Sequence, residues 1–331
     1  YPLTTTTILN YANSAFPDKK LISYLPDGSR HEYSYAQLYK RCCQLGNGLR
    51  NKLGIEKGDM VGTFAWNHYQ HVELYYGIPG VGAVCHTINI RLSAQQIEFI
   101  INHSEDKVIF VDATLVPLLE KIAPKLETVE KYVIINATKN FSTSLGNIVH
   151  YEDLIGEQLD TIDWPEINEN DASGMCYTSG TTGMPKGVLY SHRSTYLHAM
   201  TILSPNAGNY NFSDKILLIV PQFHVMAWGF PYMCLLTGSD MVMPSLHLQP
   251  NAIINILESE QINKANGVPS IWRGVYEEMK KNPPKTKLAL EEYLVGGSAL
   301  SASLIENFEK DFGIKGVQAW GMTETSPLGT A

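Results

Sequence analysis

Two short runs restrict the fold most. Val-Ile-Phe-Val-Asp at 108–112 and Tyr-Val-Ile-Ile-Asn at 132–136 are apolar almost throughout and of strand length. A strand with one wet face alternates polar and apolar residues. A continuous run indicates burial on both faces, as in a parallel sheet covered by helices. Helical periodicity fills the intervals. Residues 35–52 carry apolar side chains at helical spacing behind Ser34, a good N-cap, and 93–103 repeat this behind Ser93. Residues 69–76 also read as a helix. Met60 to Ala65 reads as a strand after the Gly58-Asp59 turn, and the small residues of 77–88 suit close helix–strand packing.

Residues 137–171 are polar and irregular, and Trp164-Pro165 with 168–171 marks a boundary. Beyond it, 174–179 and 215–221 read as strands, and 252–260 and 303–312 as helices. There is no internal repeat and no low-complexity segment. The expectation is an α/β chain of two similar subdomains, 1–170 and 171–331, each a mixed or parallel sheet flanked by helices within one large domain.

Composition narrows the function classes. The chain has 331 residues, 44% hydrophobic, which is enough for a substantial core. Its formal charge is −8 with Lys and Arg scattered, so no basic stripe exists to neutralise a nucleic-acid backbone. Phosphate can still be held locally by backbone N–H groups and one or two cations. Cys42, Cys43, Cys85, Cys176 and Cys234 form neither a CxxC pair nor a metal-ligand framework. They read as small buried side chains in a reducing compartment, and a cytoplasmic protein is expected. No apolar run approaches the roughly 18 residues of a membrane span. The chain starts at Tyr1 and not at Met, so a longer N-terminus is expected.

The chemistry concentrates in four segments. The first is Tyr177-Thr-Ser-Gly-Thr-Thr-Gly-Met-Pro-Lys-Gly-Val188. Glycines let backbone N–H groups converge on phosphate oxygens, hydroxyls add donors, and Lys186 supplies a point charge. It is not a Walker loop, because the lysine follows Pro185 and Gly187 replaces the Ser/Thr. The second is Gln318-Ala-Trp320-Gly-Met-Thr-Glu324: an aromatic ring that can stack on a purine, a hydroxyl donor at Thr323, and a hard oxygen ligand at Glu324. The third is Gly296-Gly297-Ser298. The fourth is Pro221-Gln-Phe-His224-Val225-Met-Ala-Trp228. Alone, Gly-Gly marks a turn, Thr-Glu a helix cap and a single histidine the core. Their order behind the first segment is what raises them.

Together these segments resemble the adenylate-forming superfamily: acyl-CoA synthetases, peptide-synthetase adenylation domains and luciferases. The medium- and long-chain fatty acyl-CoA synthetases are the best match. The resemblance runs from about residue 20 to the end and includes Asn89, Arg91 and Leu92, which are expected to position the first subdomain without doing chemistry. It implies a layered αβαβα domain. It implies ATP and Mg²⁺ as cofactors, coenzyme A as co-substrate, and a homodimer by analogy. Thr178 and Glu324 would ligate Mg²⁺. Ser179, Gly180, Thr181, Thr182, Gly183 and Lys186 would hold the ATP phosphates. Gly296, Gly297, Ser298, Gln318, Ala319, Trp320, Gly321, Met322 and Thr323 would complete the nucleotide site. His224, Val225, Trp228, Gly296 and Ala319 would line the acyl side, with His224 orienting the acid and Trp228 as the gate tryptophan of long-chain enzymes. Lys186, Thr323, Glu324 and His224 are the catalytic candidates.

Two departures and a truncation qualify this. Ala319 replaces a common glycine and would narrow an acyl channel by one methyl. Gln222 is polar where relatives carry an apolar residue. Family members continue past this region with a β-barrel carrying a ribose-binding Asp, a hinge, and a mobile domain with a catalytic lysine, so this chain alone is expected to adenylate poorly or not at all. An aryl- or short-chain-acid ligase stays open, as does a non-catalytic nucleotide- or lipid-binding module. A P-loop NTPase is disfavoured by the missing lysine-Ser/Thr pair.

Overall fold

The computed structural model describes residues 1–138, 140–178, 183–205 and 207–331. Two seven-stranded sheets organise the chain. The first has the spatial order Ile148–His150, Lys131–Ile135, Asp106–Asp112, Met60–Phe64, Val84–Thr87, Ala172–Tyr177, Gly187–Ser191. The second runs Lys315–Gln318, Glu292–Val295, Lys264–Gly267, Lys215–Leu218, Asp240–Met243, Lys20–Tyr24, Arg30–Ser34. Every neighbouring pair is parallel except the last of each sheet, which is an antiparallel hairpin. The two orders follow one scheme, so the expected likeness of the halves has a concrete form.

The runs that predicted two-sided burial behave accordingly. Val108 and Phe110 point into a cluster shared with the second sheet, while Ile109 and Val111 point into a cluster under the helix Ala94–Ser104. Leu217 joins the cluster under the helices Pro250–Glu260, Pro269–Lys281 and Ala302–Phe312, while Ile216 and Leu218 face inward. Between the sheets lie Tyr69–Gly80 and Phe230–Thr237. The first is buried at all twelve positions, as a helix wrapped by protein on every side must be. The result is five layers, helix–sheet–helix–sheet–helix. Ser34 and Ser93 do cap their helices, each in a capping box with Gln37 or Gln96. All five cysteines are free and buried.

Two features depart from the sequence reading. The sheets do not divide at residue 170: the hairpin Lys20–Ser34 belongs to the second sheet, and Ala172–Ser191 to the first. The stretch 137–171 is also more than a connector. It holds the edge strand Ile148–His150 and the helix Tyr151–Ile155. Trp164 then lies where side chains on Gly46 and Gly80 would be, within 2.8 and 2.6 Å of the positions of their missing Cβ atoms, so it straps two helices together. Polarity hid this, because one tryptophan and two glycines carry the packing. Among the described residues no helix is long and apolar enough to cross a membrane.

Candidate active site

A cavity of about 950 Å³ opens beyond the C-terminal ends of Ala172–Tyr177, Lys215–Leu218, Glu292–Val295 and Lys315–Gln318. Parallel sheets favour sites there, where loops leave the strands together. Its wall brings together Thr178, Gly183, Lys186, His224, Val225, Trp228, Gly296, Gly297, Ala319, Trp320, Gly321, Met322, Thr323 and Glu324, which the sequence scatters over 147 positions (178 to 324, inclusive). At about 950 Å³ it stands near the top of the range for small-molecule sites.

The Gly/Thr-rich segment leaves its strand at Thr178, whose N–H donates to the Lys186 carbonyl at 2.9 Å and closes the loop at its base. Ser179, Gly180, Thr181 and Thr182 lie outside the described residues. Lys186 is exposed and lines the cavity. Beneath the loop, the buried Tyr177 hydroxyl stands 2.7 Å from His103 Nδ1. Nearby, His86 Nδ1 and Asp106 Oδ2 approach to 2.7 Å across the central strand. They can meet because Gly62 lies between them; a Cβ there would be 3.1 Å from the carboxylate.

The Thr-Glu segment sits in a hairpin of Trp320–Gly321 with Leu328–Thr330. Thr323 is buried and its carbonyl accepts from the Tyr190 hydroxyl at 2.6 Å. Glu324 is exposed on the wall. The Trp320 ring packs over Gly329 yet stays 55% exposed, leaving a face open for a planar ligand. Gln318 is committed otherwise. Its Oε1 accepts from Leu300 N–H at 2.8 Å and its Nε2 donates to Ala319 O at 2.9 Å, which braces the Gly296–Ser298 loop. Neither it nor Ser298 lines the cavity.

The backbone from Val225 to Gly229 is a left-handed turn. Val225, Met226, Ala227 and Trp228 have φ between 49° and 53°, and Gly229 has φ 75°. Each non-glycine residue costs ~1–2 kcal/mol there, about 4–8 kcal/mol for the four. Three seats on other elements hold it. Met226 fits against Gly174, where a Cβ would be 3.2 Å away; Trp228 lies on Gly296, at 3.0 Å; and His198 fills the space beside Gly229, at 2.5 Å. The N–H groups of Val225 and Met226 face the Cys176 thiol.

Gln222, unexplained in the sequence, anchors this loop. Fully buried, it accepts from His68 N–H through Oε1 at 2.9 Å and donates its own N–H to Asn67 Oδ1 at 2.7 Å. Its carbonyl takes the Tyr75 hydroxyl. An apolar residue would leave the His68 N–H orphaned between the sheets. Burial, and after it the Arg91 charge, holds the His224 imidazole below the usual histidine range, so it is neutral at neutral pH. Arg91, expected only to position a subdomain, thus reaches this loop, its guanidinium 5.8 Å from the Phe223 ring centroid.

Sequence reasoning missed part of the wall, most of it apolar: His198 and Ile202 of the helix His192–Ile202, with Ala207, Phe230, Leu294, Pro327 and Leu328. His198 and Ile202 are four apart and share a helix face, but nothing local says that this face meets a cavity. Four other histidines serve the core or loops: His68 pairs with Asp112 at 3.0 Å, His71 with Thr63 at 3.0 Å, His192 with Thr5 at 3.2 Å, and His247 with Leu25 O at 2.8 Å.

Residues 9–331 match the family model described as AMP-binding enzyme. A medium-chain-fatty-acid–CoA ligase of Ectopseudomonas oleovorans is 42% identical over 95% of this chain and 57% of its own length. A 3-methylmercaptopropionyl-CoA ligase of Ruegeria lacuscaerulensis is 39% identical over 100% of this chain and 61% of its own. Among solved structures, a long-chain-fatty-acid–CoA ligase from Archaeoglobus fulgidus superposes with a TM-score of 0.88 at 21% identity, over 99% of this chain and 66% of that one. The chain thus spans 57–61% of the length of these two curated relatives.

Proposed function

The chain belongs to the AMP-binding enzyme family, and from that premise we propose that it forms the substrate-binding part of an ATP-dependent fatty acid–CoA ligase. The observation that carries this reading is one cavity with two unlike kinds of lining. Lys186, Thr178, Thr323 and Glu324 line it together with Ile202, Phe230, Leu294 and Leu328. A charged, phosphate-bearing substrate and an apolar acid need that pairing.

In the first step a carboxylate oxygen attacks the α-phosphorus of ATP, forming the acyl-adenylate while pyrophosphate leaves. The acid is already ionised at neutral pH, so His224 need not take a proton; neutral, it can orient the carboxylate by hydrogen bonding. Lys186 and the Thr323 hydroxyl would offset charge on the transferring group. Thr178 and Glu324 both line the cavity and would hold a Mg²⁺ ion through one hydroxyl and one carboxylate, hard oxygen donors of the kind that ion takes. Bound there, Mg²⁺ would supply further neutralisation of phosphate charge. In the second step the coenzyme A thiol attacks the acyl carbonyl, AMP leaves, and the thiol proton passes to solvent. Adenylation serves because AMP leaves far more readily than a carboxylate oxygen.

A shorter acid is the second reading. It is favoured by the Trp228 ring, which lies against Gly296 and Gly297 in the cavity wall and takes up room there, and by the near-equal identity to the 3-methylmercaptopropionyl-CoA ligase. Acid-dependent ATP–pyrophosphate exchange tests both. The full-length protein and this chain would be run against acetate, hexanoate, decanoate, palmitate and benzoate. A maximum at decanoate or palmitate supports the fatty-acid reading, and a maximum at acetate or benzoate replaces the substrate class. No exchange by the full-length protein with any acid would leave only a binding module.

A further inference from the structure

His198 joins two parts of the cavity wall that are distant in sequence. It is 8% exposed and its Nε2 accepts from the Leu328 N–H at 3.2 Å, which leaves the ring proton of the neutral imidazole on Nδ1. On its other side, a Cβ on Gly229 would lie 2.5 Å from Nδ1 and 2.7 Å from Cε1. The ring therefore occupies what would be the side-chain space of Gly229, whose φ of 75° ends the left-handed turn. The preceding residue is Trp228, whose ring meets Gly296. One line of contacts runs from Leu328 through His198 and Gly229 to Trp228 and the Gly296 loop.

Resting on the adenylating reading above, we propose that His198 is a positioning residue that fixes, through Gly229, where the Trp228 indole stands and hence which acids the cavity admits. Two demands meet at this position. The space beside Gly229 needs a flat ring, and the Leu328 N–H needs an acceptor. A neutral imidazole supplies both, and burial keeps it neutral by holding its pKa down at about 4. With the ring gone, Gly229 is free to leave φ 75°, the strained residues before it can relax, and the indole loses its seat on Gly296.

The test uses H198L and H198N, alone and with W228A, in the full-length protein, with ATP–pyrophosphate exchange as readout. H198L should change the decanoate-to-acetate ratio of kcat/KM by about tenfold while KM for ATP moves less than about twofold. H198N, which keeps an acceptor for Leu328, should recover part of the wild-type ratio. In the W228A background H198L should change the ratio no further, because its effect passes through the indole. Independent effects in that cycle, or parallel shifts in both KM values at an unchanged ratio, would overturn the proposal. Hydrogen exchange in this chain gives a reading without turnover. Amides 225–230 should exchange faster in H198L and H198N, with those of 106–112 unchanged; protection equal to wild type at 225–230 would overturn it. Failure of the wild type to activate any acid would instead remove the adenylating reading, and the exchange result would still judge His198.

Discussion

The Tyr190 hydroxyl donates to the carbonyl of Thr323 at 2.6 Å with both groups buried, and so fastens the strand after Lys186 to the segment carrying Glu324. Two segments of the proposed phosphate site are thereby tied to each other.

Y190F should loosen that tie without opening a cavity. It leaves the buried Thr323 carbonyl with only the long 3.5 Å contact from the Ser326 N–H, a loss of up to about 1–3 kcal/mol. Urea unfolding should show the loss, and KM for ATP should rise more than KM for the acid. Equal KM changes would mean that the bond serves stability alone.

K186M and E324Q should each lower the adenylation rate constant by about a hundred- to a thousandfold, the scale of one lost stabilising group. Both side chains are exposed, so unfolding midpoints should stay near wild type. E324Q should also raise the Mg²⁺ concentration needed for half-maximal exchange. Retained rates in either variant would remove that residue from the proposed chemistry.

Glu73 is fully buried between the sheets and is met by Arg41 Nε at 2.6 Å, Tyr33 Oη at 3.0 Å and Tyr151 Oη at 2.5 Å. R41M should destabilise the protein by about 3–5 kcal/mol, because it strands the carboxylate. The double variant R41M/E73Q should recover much of that loss. A double variant no more stable than R41M would show that packing of the Arg41 stem, not charge, matters there.

Burial holds His71 at about 3 and His192 and His198 at about 4, against 6.5 for an unperturbed ring. The folded rings stay neutral where the unfolded chain takes up protons, so stability is full above about pH 6.5 and falls as pH drops towards 4. Each ring contributes up to about 1.4 kcal/mol per pH unit in that window. Urea midpoints across pH 4–7 should show this slope, and H192Q should flatten it. An unchanged slope in H192Q would mean that this histidine titrates alike in both states.

Much of the fold could be read locally. Val108–Asp112 announced a doubly buried strand, and Ser34 and Ser93 announced helix starts, because propensity and burial agree there. The site was legible as four segments, since glycine, hydroxyl and charged residues in that order have few other uses. The left-handed turn at Val225–Trp228 was not, because no glycine or asparagine marks those four positions. Contacts with Gly174, Gly296 and His198, each far away in sequence, help to hold it. The role of Gln222 was hidden for the same reason: its partners Asn67 and His68 lie in the loop after a strand of the other sheet.

The crossed hairpins set a condition on synthesis. The parallel partner of Lys20–Tyr24 is Asp240–Met243, and Lys20 and Asp240 are 220 residues apart. A ribosome adding about 5–20 residues per second exposes the first hairpin for some 10–45 seconds before its partner strand leaves the tunnel. During that wait the nascent chain can complete the first sheet but carries an unpaired strand edge. Its charged Lys20, Arg30 and Glu32 suit it to stay in water until then.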